Sequence, residues 1–400
     1  MALIQPPVLA RARSLFPYLA GGGVYLNHAA TSPLASPVVA ALSAHIDQRM
    51  KGDIDTYAAD LPMVKSWRKH VQTLINAEGP ERIAFTMNTS DALNIVAAGV
   101  PWKNDDIVIA NNAEFPANLH PFLHLRRRGV HVNILPAGNG VVTPEMIERA
   151  ITPSTRMLAL SAVQFLSGYR ADLEAIGALC RNRGVIFVVD GIQAVGAVPI
   201  DVRGMHIDCL AAGAQKWQMA PQGTGFLYVS EELQSGIEQQ HVGWLSVATP
   251  WDFKDLDQAL DPTARRYEGG TLNIAGMHAM HASLTMLLDV GIDAIAGHIL
   301  AITDILMQEL ASIDGLQLIT PFEPSRRAGI VTVRPPAGMR AEELAVRMRN
   351  DGVTIAVREG LLRFSPHFYN TPDEMHRAAA SLRDAIAATG RSTDAQAGTR

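Results

Sequence analysis

The sequence predicts an α/β protein: a mainly parallel, seven-stranded sheet flanked by helices, followed by a smaller α+β unit. Two observations carry that expectation. Seven short apolar runs alternate with stretches of helical periodicity, and such alternation builds βαβ units. The runs are also nearly continuous in apolar residues, as parallel strands covered on both faces are.

In order, the runs are RIAFTM (82–87), DIVIA (106–110), VHVNIL (130–135), RMLALSAV (156–163), VIFVVD (185–190), DCLAAGA (208–214) and GFLYV (225–229). The segment after Arg170 shows the helical side. Leu173, Ile176 and Cys180 fall at i, i+3 and i+7 on one apolar stripe, and Gly184 ends that helix before the next strand. A second unit is expected to begin near residue 280. There HASLTMLLDVG (281–291) reads as a long apolar helix, with strands to follow near GIVTVR (329–334) and TIAVR (354–358). The predicted large domain is thus 21–280 and the small domain 281–390, with the polar stretch 391–400 as a flexible tail.

Composition narrows the function. The chain of 400 residues is 48% hydrophobic and 18% charged, below the roughly 25% usual for charge, which points to surface buried between subunits. A net charge of −5 without a basic run argues against a nucleic-acid partner. The N-terminal MALIQPPVLARARSLF lacks the apolar core of a signal peptide, and no run of about 18 apolar residues stands out as a bilayer span. A cytoplasmic enzyme without a membrane partner is the expectation. Cys180 and Cys209 lie within apolar segments and read as buried thiols. No CxxC, HExxH or clustered His/Cys spacing predicts a metal site. The absence of a Walker A or GxGxxG pattern after a predicted strand weighs against nucleotide or nicotinamide binding.

The chemistry concentrates in VVDGIQAVG (188–196) and GAQKW (213–217). Asp190 ends one predicted strand and Lys216 follows the next. A carboxylate and a lysine so placed suit pyridoxal 5'-phosphate, which needs an amine for a Schiff base and an acid to keep its ring nitrogen protonated. The nearly uncharged surroundings of Lys216 favour a lowered pKa. Asn88, Thr89 and Ser90 stand where a strand gives way to a helix. Free N–H groups and the helix dipole make that junction an anion cradle, and the same residues would equally serve as a helix cap.

With these residues the chain resembles the class V, fold-type I pyridoxal phosphate enzymes, in the branch of cysteine desulfurases and isopenicillin N epimerase-like proteins. YLNHAATSP (25–33), FTMNTSDALN (85–94), AEFPAN (113–118), SAVQF (161–165), RYEGGTLN (266–273) and RFSPHFYNTPDE (363–374) carry the likeness along most of the chain. The resemblance implies that residues 1–20 pack with the small domain. It implies that Gln193 and Gln164 approach the cofactor's phenolic oxygen, that Thr89, Ser90 and Gln215 approach its phosphate, and that Phe115 covers one ring face. Arg363 would clamp the substrate carboxylate, with Arg358 and His367 as weaker neighbours. Thr271 would reach the phosphate of the other subunit, making a homodimer with shared sites. Trp244 and His28 would line the substrate pocket, and Asn27 lies on the same segment as His28.

The chain departs from desulfurases at three places. They carry a histidine where Pro116 stands, a histidine where Gln215 precedes the lysine, and a mobile cysteine on the loop that is here VREGLLRF (357–364). The expected activity is therefore aminotransfer on an amino acid. A C–S or other β-lyase without the persulfide cysteine is the alternative, then epimerisation. From a different class, a catalytically silent cofactor-binding regulator or scaffold would need neither Lys216 nor Arg363.

Overall fold

The computed structural model describes residues 2–52 and 54–397. Helix α1 (Pro6–Ser14) and strand β1 (Val24–Tyr25) open the chain, followed by α2 (Ser36–Met50) and α3 (Tyr57–Ile75). The large sheet is then laid down between helices: β2 (Ile83–Thr86), α4 (Thr89–Gly99), β3 (Ile107–Asn111), α5 (His120–His124), β4 (His131–Leu135) and α6 (Pro144–Ala150). It is completed by β5 (Thr155–Ser161), α7 (Leu173–Arg183), β6 (Ile186–Asp190), β7 (Cys209–Gly213) and β8 (Gly225–Val229), with α8 (Glu231–Gly236) after it. Helices α9 (Ile274–Val290) and α10 (Ile292–Ala311) lead to β9 (Gln317–Leu318), β10 (Val331–Arg334) and α11 (Ala341–Asn350). The chain closes with β11 (Val353–Thr354), β12 (Ala356–Arg358), β13 (Leu361–Phe364) and α12 (Pro372–Ala397).

The seven predicted runs are the seven strands of one sheet, ordered β2-β8-β7-β6-β5-β3-β4. Pairs β3–β4, β3–β5, β5–β6 and β6–β7 are parallel, and β8 alone runs against its neighbours β2 and β7. Both faces are covered, so β7 and β8 are buried at every position. Helix α7 forms as its stripe predicts: Leu173, Ile176 and Cys180 are buried, the Asp172 side chain accepts from the Ala175 N–H, and Gly184 takes the left-handed φ of 64° that ends it. The consequence for function is that β2, β3, β5, β6 and β7 all present their carboxyl ends along one edge, where α/β sheets bind ligands.

A four-stranded antiparallel sheet, β12-β13-β10-β9, forms the second unit. The N-terminal segment is tied to it through the parallel pairing of β1 with β11, and Phe16 packs its ring 4.3 Å from that of Tyr369. Residue 280, the expected division, lies inside α9. That helix packs on α2 and α3, and its Met277, Met280, Leu284 and Leu287 belong to the main core.

Two expectations change. Helix α10 is long and apolar enough to cross a membrane by length and composition, a span the sequence reading passed over. It packs against α12, and its Ile302, Leu306 and Leu310 sit in the core of the second unit, so it reads as a core helix. Part of the expected flexible tail is helical: α12 continues to Ala397, because each residue added to an existing helix gains a backbone hydrogen bond without new nucleation. Residues 398–400 lie outside the described residues.

Candidate active site

A cavity of about 340 Å³ opens at the carboxyl ends of the parallel strands. The sheet supplies Asp190 from the end of β6, Gln215 and Lys216 beyond β7, Asn88, Thr89 and Ser90 beyond β2, and Phe115 beyond β3. The small sheet contributes Arg358 and Arg363, and the N-terminal segment contributes Ala29 and Ala30. Residues more than 300 positions apart thus share one wall, because β1 is paired with β11 and Asn27 bridges Ser365.

Lys216 is 9% exposed. Burial lowers its amine to about 8; Asp190 opposes that shift, and Arg363 and Arg358 add to it. Its Nζ lies 5.6 Å from the centroid of the Phe115 ring. The backbone is pinned behind it: the Ser32 hydroxyl and the Met219 N–H both donate to the Lys216 carbonyl. Asp190 is buried, and its carboxylate accepts one hydrogen bond, from the Ile192 N–H at 2.9 Å. Burial raises it to about 7, Glu114 raises it further, and the Ile192 N–H and Lys216 pull it back. The pair is an acid and an amine, each pushed toward neutrality by desolvation.

Gln193 is locked in place. Its amide donates to the Ala29 carbonyl at 3.1 Å and accepts from the Trp217 indole at 2.8 Å, leaving one amide hydrogen for a ligand. Gln164 donates to Glu114 at 2.9 Å and keeps a buried oxygen with no partner. Glu114 is the residue the sequence reading missed, although it lies inside AEFPAN. Buried at 5% exposure, it accepts from Asn111, Asn118, Gln164 and both the N–H and hydroxyl of Ser161. A carboxylate three residues beyond a buried strand was the available signal.

At the mouth of α4 the cap is Asn88, whose side chain accepts from the Asp91 N–H at 2.9 Å. Thr89 and Ser90 are therefore the first helical residues, and their N–H groups are among those a helix leaves unpaired. The Thr89 hydroxyl accepts from the Gly213 N–H at 2.9 Å. A Cβ at Gly213 would lie 2.7 Å from the Gln215 side-chain oxygen, so a larger residue here would push that amide aside. Arg363 is 2% exposed, held by one hydrogen bond to the Phe165 carbonyl at 2.6 Å, and its Nε is buried without a partner.

The structure keeps other candidates out of this cavity. His28 is fully buried, with Nδ1 against the Ser365 carbonyl at 2.8 Å and Nε2 against the Tyr369 hydroxyl at 2.9 Å, so it braces the wall that Ala29 and Ala30 line. His367 is likewise buried and donates to the Trp217 carbonyl, and burial lowers it to about 4. Thr271 is exposed and lines a different cavity, beside α2 and α3. Trp244 is 39% exposed and packs on Trp251. Cys180 and Cys209 are buried free thiols away from the cavity, and burial pushes Cys180 up to about 12.

Pyridoxal phosphate fits the donors on this wall. The amine of Lys216, the under-bonded Asp190, the unpaired N–H groups of α4 and the unpartnered Gln164 and Arg363 atoms are what that cofactor and an amino-acid substrate require. Comparison with known proteins agrees. The family model for aminotransferase class-V matches residues 24–377. A probable cysteine desulfurase of Methanothermobacter thermautotrophicus is 31% identical over 380 residues, covering 90% of this chain and 94% of that protein. The uncharacterized aminotransferase YcbU of Bacillus subtilis is 31% identical over 367 residues, covering 92% and 95%. The crystal structure of the cysteine desulfurase CsdA of Escherichia coli shares the fold, with a TM-score of 0.85 at 24% identity over 96% of this chain and 99% of that one. The chain belongs to the class-V aminotransferase family of pyridoxal phosphate-dependent enzymes.

Proposed function

We propose that this enzyme acts on an amino acid by transamination, as a cytoplasmic homodimer with shared sites. The observation that supports it is the make-up of the cavity wall. Among the described residues lining it there is no imidazole and no thiol, and Lys216 is the one amine. Bound pyridoxal phosphate supplies an electron sink that weakens the bonds at the substrate Cα. The chain's own residues do the rest. Arg363, with its Nε unpartnered, orients the substrate carboxylate, and a planar guanidinium does so through two parallel hydrogen bonds. Lys216, lowered to about 8, would take the proton from the substrate Cα and return it on the far side of the substrate nitrogen, to the cofactor carbon bonded there, as a base poised near neutral pH does best. Asp190 would face the ring nitrogen as a carboxylate, Thr89, Ser90 and Gln215 would hold the phosphate, Gln193 and Gln164 would face the phenolic oxygen, and Phe115 would cover the ring. Thr271 and Trp244, outside this subunit's cavity, serve the site of the second subunit.

One observation favours a second reading. A relative as similar as the aminotransferase bears the name of a probable cysteine desulfurase, so β-elimination of a sulfur leaving group competes with transamination. The buried Cys180 and Cys209 argue against the persulfide route in particular. Incubating the holoenzyme with single amino acids separates the two. Transamination yields one equivalent of keto acid per subunit with the amino group retained on the protein; elimination releases ammonia and keto acid through many turnovers and overturns the first reading.

A further inference from the structure

We propose that His45, Asp60 and His278 form a structural site for one divalent transition-metal cation of the zinc class where α2, α3 and α9 meet. The three residues come from three helices, with His278 more than 200 positions from the other two. His45 and Asp60 are 5% and 6% exposed, and His278 is half-buried. Each offers one ligating atom, and these atoms all lie within 4.8 Å of one another. His278 Nε2 stands 2.8 Å from Asp60 Oδ1, and the rings of His45 and His278 stack at 5.0 Å.

Two atoms here lack what burial demands. Asp60 Oδ2 and His45 Nδ1 are buried with no hydrogen-bond partner. Two unmatched buried polar atoms within one group of metal-ligating residues are an anomaly that a cation would resolve, since buried polar atoms are otherwise paired. Two imidazoles and a carboxylate are a donor set that zinc-like ions take, with bonds of about 2.0–2.2 Å and the ligands then roughly 3.3 Å apart. A cavity of about 550 Å³ borders His45 and Asp60 and leaves room for a water as a further ligand. Facing charges are Asp55 and Arg49, which also line that cavity and offset one another, and His281, one turn along α9.

The neighbouring pair His70 and His281 provides an internal contrast. Their rings also stack, at 4.5 Å, and His70 Nδ1 is likewise buried without a partner, but His281 Nε2 is spent on the Ser66 hydroxyl, and among the described residues the pair belongs to no ligating group of three. A cation would join α9 to α2 and α3 close to the segment Thr271–Asn273, which lines the same cavity.

The test uses tag-free holoenzyme stripped of metal with a chelator, titrated with Zn²⁺ by calorimetry and with Co²⁺ by visible absorption. The expected result is one ion per subunit, a raised melting temperature, and an intense cobalt spectrum of low coordination number. Affinity should fall about 100-fold or more in His45→Gln and in Asp60→Asn, and stay unchanged in His70→Gln. Cofactor absorption reports whether each variant is folded; should one variant fail, His278→Gln replaces it. No binding by the unmodified enzyme would overturn the proposal. So would binding that survives His45→Gln, which would place the ion at exposed histidines such as His120 and His124.

Discussion

Glu114 and Asp190 are buried carboxylates at the ends of nearby strands, and the protein treats them in opposite ways. Glu114 is surrounded by five hydrogen-bond donors from Asn111, Asn118, Ser161 and Gln164. Asp190 has one, the Ile192 N–H. Ser161 stands between them: sheet register sets it opposite Asp190, yet its own N–H and hydroxyl turn to Glu114. A fully bonded carboxylate is structure, because its hydrogen-bonding capacity is already met. An under-bonded one is open to a further partner, which under the proposed function is the cofactor's ring nitrogen, and burial together with the charge of Glu114 drives it toward the neutral acid.

The largest effect is expected at Lys216, on the Asp190 side. Lys216→Ala should lower turnover by about 10⁴-fold and remove the visible absorption of the bound cofactor, read by steady-state kinetics and spectroscopy. Residual turnover near that of the unmodified enzyme would move the active site elsewhere.

The sharpest test of the contrast is a pair of variants. Glu114→Ala strands donors from four residues in a dry interior and should cost about 3–5 kcal/mol of stability. Asp190→Asn, assayed without cofactor near pH 8, should be neutral or stabilising, because it removes a charge that burial disfavours. Denaturant melts of both proteins decide; equal losses would erase the distinction.

The same contrast has a pH signature in the cofactor-free protein. Asp190 is raised from 3.8 to about 7, so the folded state holds its extra proton across that window and stability falls as pH rises from about 4 to 7. Lys216 is lowered from 10.5 to about 8, so the folded state binds fewer protons above 8 and stability recovers as pH rises through that second window. Asp190→Asn should flatten the first slope, of order a few kcal/mol, and leave most of the second. Melting temperature against pH measures it.

Smaller effects test the substrate and the partner subunit. Arg363→Lys should lower kcat/KM roughly 30-fold, about 2 kcal/mol, since an ammonium cannot reproduce a bidentate clamp. Thr271→Ala should weaken cofactor binding by about 1 kcal/mol, one hydrogen bond, seen by equilibrium titration. No change there would count against a shared site.

Much of this was readable along the chain. Strands and the α7 stripe followed from hydrophobic periodicity, which a few neighbouring residues specify without reference to the rest. Asp190, Lys216 and Thr89 were legible because each stands at or just beyond the end of a predicted strand, and in a parallel sheet those ends share an edge. Glu114 sat in the same position and was passed over, since a lone loop acid carries no mark of its future donors. His28 showed the reverse. Its segment reaches the site, but the direction of its side chain depends on Ser365 and Tyr369, more than 330 positions away.

The sequence by itself determined the order of strands and helices, the edge on which chemistry collects, and the amine and acid that stand there, because all of these are local patterns. Tertiary structure alone decided which polar groups are matched and which are left wanting. It enclosed Glu114, starved Asp190, turned His28 into a brace, and drew His45, Asp60 and His278 together from three helices. The physical reason is range: burial of an apolar face is a property of a segment, whereas the partner of a buried polar atom is fixed only when distant segments have packed.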